Sequence, residues 1–274
     1  MAMLIAVSTA FVLCRIAYPF YIKWLVSKQL GQFIREEGPA SHAVKAKTPT
    51  MGGLCFIVGI VVSSVFTIAI SDVASMDMNE TFRAGLALLA AIACGLLGLA
   101  DDYGKVTSKS NAGISAKFRL FSEFSIGLVL GLLLLFFQPS GTDLTPALVL
   151  GITIDPMGFS TNLLPALSGP AQLIYCLLLC PFLMAACSNA LNLHDGMDGL
   201  AGGTSMMVLA TMGIMLCTAG HLALAWLAFA GVGALLAFLI FNKYPAKVFM
   251  GDTGSLFLGA LMAGLVVCGG LLIW

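Results

Sequence analysis

Eight long apolar runs constrain the fold of this chain more than any other feature. They cover residues 3–27, 52–71, 83–100, 120–137, 171–191, 200–219, 222–241 and 253–274. A helix of about 20 apolar residues crosses the hydrocarbon core of a bilayer, and a helix satisfies its own backbone hydrogen bonds there. The sequence therefore predicts an all-α, polytopic membrane protein with about eight transmembrane helices, forming a single integral membrane domain over residues 1–274.

The composition excludes other classes of protein. Only 9% of the residues are charged, whereas soluble domains carry roughly 25%. The formal net charge is zero, which gives no electrostatic support for a nucleic-acid partner. The eight cysteines lie mostly in apolar runs and are expected to be small core residues. No basic residue precedes Arg15, so the first run is expected to be a retained span and not a signal peptide.

The distribution of lysine and arginine predicts the orientation of the spans. Nearly all of these residues fall in one set of alternate loops: Lys23, Lys28, Arg35, Lys45, Lys47, Lys105, Lys109, Lys117, Arg119, Lys243 and Lys247. The opposite loops hold Arg83 alone. Because cytoplasmic loops carry the excess of positive charge, the N-terminus is expected to face outward. In the first span, Tyr18, Phe20, Tyr21 and Trp24 are expected to form an interfacial aromatic belt.

An aspartate pair, Asp101-Asp102, stands where the third apolar run meets a polar segment. Two adjacent carboxylates at a membrane boundary repel each other and are costly to desolvate, and a divalent cation would relieve both effects. We therefore expect Mg²⁺ at this position. The alternative is two solvated acids at the end of a helix. Basic residues follow in the next loop, where Arg119 and Glu123 are spaced to pair along a helix.

Two further cytoplasmic loops contain acids and amides close to the bilayer. In the third loop, Asp195 and Asp198 would share a face if the segment were helical, and Asn189 and Asn192 precede them. Intramembrane and juxtamembrane polar residues of this kind are functional candidates. In the fourth loop, Asp252 can either cap the following helix or act as a third metal carboxylate. Phe249 in the same loop can stack on a base or anchor at the interface.

These loops resemble those of the polyprenyl-phosphate N-acetylhexosamine-1-phosphate transferases, and the likeness extends over nearly the whole chain. The matching residues are Gly38, Pro39, Ser41, His42 and 48–53, then Asp101–Tyr103 with Lys105 and Val106, then 189–193 with 195–200, then Pro245, Ala246 and 248–256. The Gly-Pro…Ser-His and Phe-Met-Gly-Asp segments favour the branch that uses a muramoyl-pentapeptide donor over the branch that uses N-acetylglucosamine.

The resemblance implies a reaction and a set of site residues. UDP-N-acetylmuramoyl-pentapeptide and undecaprenyl phosphate would give lipid I and UMP, with Mg²⁺ as the cofactor, in peptidoglycan synthesis at the bacterial inner membrane. Asp252 is similar to the metal ligand of the family, with Asn192 as a second metal residue, and Asp101, Asp102 and Asp252 are similar to its catalytic residues. The remaining matches are to substrate-binding positions: Lys45, Thr50, Lys117, Asn192, Asp195, Asp198, Asn242 and Phe249.

The sequence also departs from the family pattern. Lys47 and His194 replace the usual Gly and Thr, and the family continues through a histidine-rich cytoplasmic loop and two further spans beyond the position of Trp274. A truncated, non-catalytic relative and a transferase of N-acetylglucosamine-1-phosphate are therefore the alternative expectations. A homodimer is a further expectation.

Overall fold

The computed structural model describes residues 1–28, 48–71, 78–108, 113–136 and 173–271. These residues form eight helices: α1 Ala2–Ser27, α2 Gly53–Ile70, α3 Met78–Ser108, α4 Ala116–Phe136, α5 Cys180–His194, α6 Leu200–Thr218, α7 Leu222–Asn242 and α8 Gly251–Gly269. A π-helical turn, Tyr175–Leu179, leads into α5. With that turn included, eight helical segments are long and apolar enough to cross a membrane, which confirms the predicted all-α class and number of spans.

Helix α8 lies at the centre of the bundle. It packs most extensively against α3 and α5, while α1 and α6 pack on α7. In the most apolar stretch of α8, 78% of the residues are buried, against 22% in α1. Small residues permit this packing: a Cβ at Gly259 would lie 2.4 Å from the carbonyl oxygen of Cys187 on α5. The first turn of α8, which contains Asp252, is therefore held among several other helices.

Two polar segments that were expected to be loops are helical. Helix α3 continues from the predicted boundary at Ala100 to Ser108, so Asp101, Asp102 and Lys105 lie on its last turns. Helix α5 likewise continues to His194 and includes both asparagines of the predicted third loop. The extension of α3 is stabilised by an ion pair between two residues one helical turn apart. Asp101 Oδ2 lies 2.5 Å from Lys105 Nζ.

The predicted aromatic belt is only partly correct. Phe20 and Trp24 are exposed, but Tyr18 is fully buried. The hydroxyl groups of Tyr18 and Tyr21 donate to the carbonyl oxygens of Gly52 and Met51, each over 3.0 Å. These two tyrosines therefore hold the turn before α2, because a buried phenol needs a hydrogen-bond acceptor.

The cysteines behave as expected. All eight thiols are free, and six of them are buried. Residues 147–154, whose sequence could form a short hairpin, lie outside the described residues.

Candidate functional site

Charged and amide side chains from three helices, α3, α4 and α5, converge on Asp252 of α8 at one end of the bundle. Lys105 Nζ lies 2.7 Å from Asp252 Oδ2, and Arg119 Nη1 of α4 lies 3.5 Å from the same oxygen. Asn192 Nδ2, from the end of α5, donates to Asp252 Oδ1 over 2.7 Å. We call this group, together with Asp101, the Asp252 cluster.

Asp101 joins the cluster through Lys105. Its carboxylate is 1% exposed, and the same ammonium group that contacts Asp252 lies 2.5 Å from Asp101 Oδ2. The other oxygen accepts a hydrogen bond from the backbone N–H of Ile114. The carboxylates of Asp101 and Asp252 therefore lie close enough to share one cation, which in this structure is the ammonium of Lys105.

Asp102 points in a different direction from Asp101. Its Oδ1 accepts from the N–H of Asp252 over 3.1 Å, and its Oδ2 accepts from the N–H of Thr253 over 3.0 Å. The hydroxyl group of Thr253 donates to the same Oδ2 over 2.6 Å. Asp102 is 4% exposed. All of these donors belong to the first turn of α8.

Glycines bring the backbones of α3 and α8 together at this point. A Cβ at Gly98 would lie 2.2 Å from the carbonyl oxygen of Asp252, which is closer than any real contact. Gly251 has a φ of +75°, and a Cβ there would lie 2.5 Å from Asp102 Oδ2. Residues with side chains rarely adopt that φ, so glycine is needed at Gly251 for both conformation and space.

Asp195, in the turn after α5, lies near the other carboxylates. Burial, and then the negative charges of Asp252, Asp102 and Asp198, raise the pKa of Asp195 to about 7. This turn is not helical, so the condition under which Asp195 and Asp198 would share a helical face is not met. Asp195 is therefore linked to Asp252 by charge repulsion and not by a shared helical face.

Asp198 and Asn242 connect two loops. Asp198 Oδ2 accepts from the N–H of Ala246 over 3.1 Å. Asn242, which is 3% exposed, accepts from the N–H of Gly199 over 3.0 Å and donates to the carbonyl oxygen of Val248 over 2.9 Å. The two side chains therefore tie the turn after α5 to the segment between α7 and α8.

The other predicted substrate-binding residues differ in their environments. Thr50 is buried, and a Cβ at Gly251 would lie 2.8 Å from its hydroxyl oxygen. Phe249 is half-buried, and its N–H donates to the carbonyl oxygen of Pro49 over 2.8 Å. Lys117 is exposed on the first turn of α4. Lys45 lies outside the described residues.

Two contacts of the site do not follow from the sequence pattern. Arg119 was expected to pair with Glu123, but its ion pair is with Asp252. Glu123 is fully buried and accepts from the side-chain amide of Asn189. The rarity of ionisable residues inside apolar spans could have identified Glu123 as part of a polar centre. The partners of Glu123 and Arg119, on α5 and α8, could not be read from spacing along α4.

The residues of the cluster suit a hard divalent cation. Mg²⁺ prefers oxygen ligands and usually takes one or two protein carboxylates, with phosphate oxygens and water completing its shell. Asp252, Asp101 and the amide oxygen of Asn192 are donors of this type. Within the described residues no three His, Cys, Asp or Glu side chains form a ready-made ligand group. Lys105 and Arg119 add positive charge beside these donors, as recognition of a phosphate requires.

Comparison with known proteins identifies the family to which the chain is similar. The sequence profile of glycosyl transferase family 4 matches residues 84–270. A phospho-N-acetylmuramoyl-pentapeptide-transferase of Corynebacterium jeikeium (strain K411) is 39% identical over 96% of this chain and 75% of its own length. Proteins of the same name from Halalkalibacterium halodurans and Staphylococcus carnosus (strain TM300) are each 37% identical, over 97% and 93% of this chain and 74% and 72% of their own lengths.

The profile includes every helix that contributes to the Asp252 cluster, and the relatives cover nearly the whole chain. The chain therefore belongs to glycosyl transferase family 4, among the phospho-N-acetylmuramoyl-pentapeptide transferases.

Proposed function

We propose that this protein transfers phospho-N-acetylmuramoyl-pentapeptide from its UDP-linked donor to undecaprenyl phosphate, giving lipid I and UMP. The observation that carries this proposal is the convergence of Asp101, Lys105, Arg119 and Asn192 on Asp252, where transmembrane helices end. A water-soluble sugar nucleotide and a membrane-bound phosphate can meet only at such a boundary. The names of the relatives support the choice of the muramoyl-pentapeptide donor.

The reaction exchanges one phosphorus–oxygen bond for another. An oxygen of the lipid phosphate bonds to the donor phosphorus that bears the sugar. The bond from that phosphorus to the bridging oxygen breaks, and UMP leaves with the bridging oxygen. Phosphoryl transfer depends mainly on positioning and on neutralisation of charge. We favour this direct route over a covalent intermediate on Asp101 or Asp102, because it requires no second displacement.

The residues of the Asp252 cluster would have different roles in this reaction. Asp252, Asp101 and Asn192 would hold Mg²⁺, which when bound neutralises charge on the diphosphate and on departing UMP. Lys105 and Arg119 attract and orient the phosphates of the two substrates. Asp101 faces the cluster, where it can orient the lipid phosphate or accept its proton.

The nucleotide and sugar would lie against the loops beside the cluster. The resemblance assigns Asp195 and Asp198 to this side, with Asn242 and Phe249 near uridine. The hydrogen bonds of Asp198 and Asn242 fix the backbone of both loops, and Phe249 offers a ring for stacking on the base. The resemblance also assigns Lys45, Thr50 and Lys117 to substrate binding.

The proposed orientation in the membrane rests on the distribution of positively charged residues among the loops. The excess of lysine and arginine in alternate loops supports a cytoplasmic location for the Asp252 cluster and an outward-facing N-terminus. We propose that the chain is one multi-pass domain of the bacterial inner membrane, where the soluble donor is available.

A donor-selective assay of UMP release tests this function. The purified protein in detergent, with undecaprenyl phosphate and Mg²⁺, is expected to release UMP from UDP-N-acetylmuramoyl-pentapeptide and to lose this activity when Mg²⁺ is chelated. UDP-N-acetylglucosamine serves as the control donor. Release from the control donor alone would favour the rival branch, and release from neither would favour a non-catalytic relative.

A further inference from the structure

We propose that Asp102 is a positioning residue that acts through Asp252. In this proposal Asp102 caps α8 from the neighbouring helix α3 and does not itself contact the lipid phosphate. The proposal rests on the proposed function only in taking Asp252 as a cation ligand. It departs from the expectation that Asp101 and Asp102 form a catalytic pair.

The start of α8 needs hydrogen-bond acceptors from outside the helix. The first N–H groups of any helix have no partner within it, and a polar side chain just before the helix usually supplies one. Here that position is Met250, which makes no side-chain cap. Asp102 supplies the acceptors instead, through three hydrogen bonds of 2.6 to 3.1 Å from Asp252 and Thr253.

The environment of Asp102 leaves little room for another role. Both of its carboxylate oxygens already accept bonds from the first turn of α8, and its side chain is almost fully buried. The backbone of Gly251 lies close to Asp102 Oδ2, because a Cβ added at Gly251 would lie 2.5 Å from this oxygen. Consecutive helical residues point about 100° apart, so Asp101 faces the Asp252 cluster while Asp102 faces the helix.

This cap leaves the carboxylate of Asp252 available. An aspartate in the first turn of a helix can itself bond to the exposed N–H groups. Because Asp102 occupies the N–H groups of Asp252 and Thr253, both oxygens of Asp252 can face Lys105, Arg119 and Asn192. The cap therefore determines the direction in which the proposed cation ligand points.

The first test replaces the cap with a side chain of the same shape. In Asp102→Asn one carboxylate oxygen becomes an NH₂ group, so one acceptor for α8 is lost. We expect faster hydrogen exchange at the amides of 251–254, measured by mass spectrometry. We also expect about tenfold weaker binding of Mn²⁺ to the purified protein, measured by electron paramagnetic resonance.

The second test uses Thr253, whose hydroxyl group bonds to Asp102. Thr253→Val removes this donor while keeping the shape, and we expect it to weaken Mn²⁺ binding several-fold. Thr253→Ser keeps the donor and should bind Mn²⁺ as the wild type does. A merely structural role would lower the Tm of the valine variant without changing its Mn²⁺ Kd, and that result would overturn the proposal. This pair also decides the question if Asp102→Asn fails to fold.

One outcome for Asp102→Asn would also overturn the proposal. This is a folded variant that keeps wild-type amide exchange and Mn²⁺ affinity but no longer releases UMP, because Asp102 would then act on the reacting atoms. Failure of the proposed function is distinguishable from failure of the cap. If the wild type releases no UMP from either donor while the variants still weaken Mn²⁺ binding as expected, the transferase function fails and the positioning role stands.

Discussion

The two ends of helix α3 carry charged side chains that are paired in different ways. In its first turns, Glu80 Oε1 lies 2.7 Å from His221 Nδ1 and 3.8 Å from Arg83 Nη1. This group, which we call the Glu80 cluster, has one carboxylate for one guanidinium and one imidazole. In its last turns, α3 contributes Asp101 and Asp102 to a site that already contains Asp252.

The difference lies in the balance of charge. The Glu80 cluster can neutralise its carboxylate with its own members, which is how buried ionic groups usually connect parts of a fold. At the other end the described residues include more carboxylates than cations. The carboxylates are those of Asp101, Asp102, Asp195 and Asp252, and the cations are those of Lys105 and Arg119. That excess is costly in the protein alone, and a bound cation relieves it. The excess of negative charge indicates that the end near Asp252 binds a ligand. The balanced charges of the Glu80 cluster indicate that the other end holds helices together.

The largest expected effect comes from replacing a carboxylate with an amide in the Asp252 cluster. The same replacement in the Glu80 cluster is the comparison. We expect Asp252→Asn to lower UMP release by about two orders of magnitude or more and to weaken Mn²⁺ binding, while the protein remains folded. Glu80→Gln is the matched control and should lower the Tm without changing the Mn²⁺ Kd. If Glu80→Gln weakened Mn²⁺ binding as strongly, the distinction between the two ends would be lost.

The next effect tests whether the Glu80 cluster is self-contained. Arg83→Met leaves the Glu80 carboxylate with only His221, and we expect destabilisation of up to about 3 kcal/mol because a buried ion pair is broken. Adding Glu80→Gln removes the unpaired charge and should recover much of the loss, as seen in unfolding measurements of both single variants and the double variant. Additive losses would show that the two side chains are not coupled.

Glycines on α3 provide a third, smaller test. Gly98→Ala would force the backbone of Asp252 away, and we expect a loss of about 1–3 kcal/mol of stability together with weaker Mn²⁺ binding. Gly85→Ala is the control on the same helix, because a Cβ there meets no atom within 4 Å. It should be neutral or stabilise the helix by about 0.5–1 kcal/mol. Equal effects of the two variants on thermal unfolding would argue against close packing of α3 on α8 as the determinant.

The smallest effect concerns pH. Because the pKa of Asp195 is raised to about 7, the folded protein binds more protons than the unfolded chain between about pH 4 and 7. The stability of the wild type should therefore fall as pH rises through this range, whereas Asp195→Asn lacks this contribution. In the absence of divalent cations, we expect the Tm of the variant to exceed that of the wild type by an amount that grows from pH 5 to pH 7 and then levels off. Saturating Mn²⁺ should reduce the difference at pH 7.5; a difference independent of pH would contradict the shift.

Much of the fold could be predicted because membrane spans are determined by local composition. The eight apolar runs match the eight helices within a few residues at most ends. A clear departure is α3, which extends beyond its apolar run at both ends, from Met78 to Ser108. Polar residues end an apolar run, but they do not end a helix when partners on other helices satisfy them, as α8 satisfies Asp102.

The residues of the candidate site could be predicted from the sequence better than their geometry could. The resemblance identified Asp101, Asp102 and Asp252, but adjacent carboxylates in a sequence give no indication that one faces a polar cluster and the other a helix terminus. That division depends on how α3 packs against α8, a contact between residues about 150 positions apart. The partner of Arg119 could not be predicted for the same reason.

The burial of α8 has a consequence for inherited variation in this protein. Gly264 lies about 18 Å along the helix from Asp252, and a Cβ there would press on Ala87 at 3.1 Å. A substitution there would tilt or shift the helix whose first turn bears Asp252, the proposed metal ligand. We therefore expect sequence changes in the middle of α8 to reduce turnover as changes around the Asp252 cluster do, and mutational scans of this chain should find an intolerant stripe along the whole length of the helix.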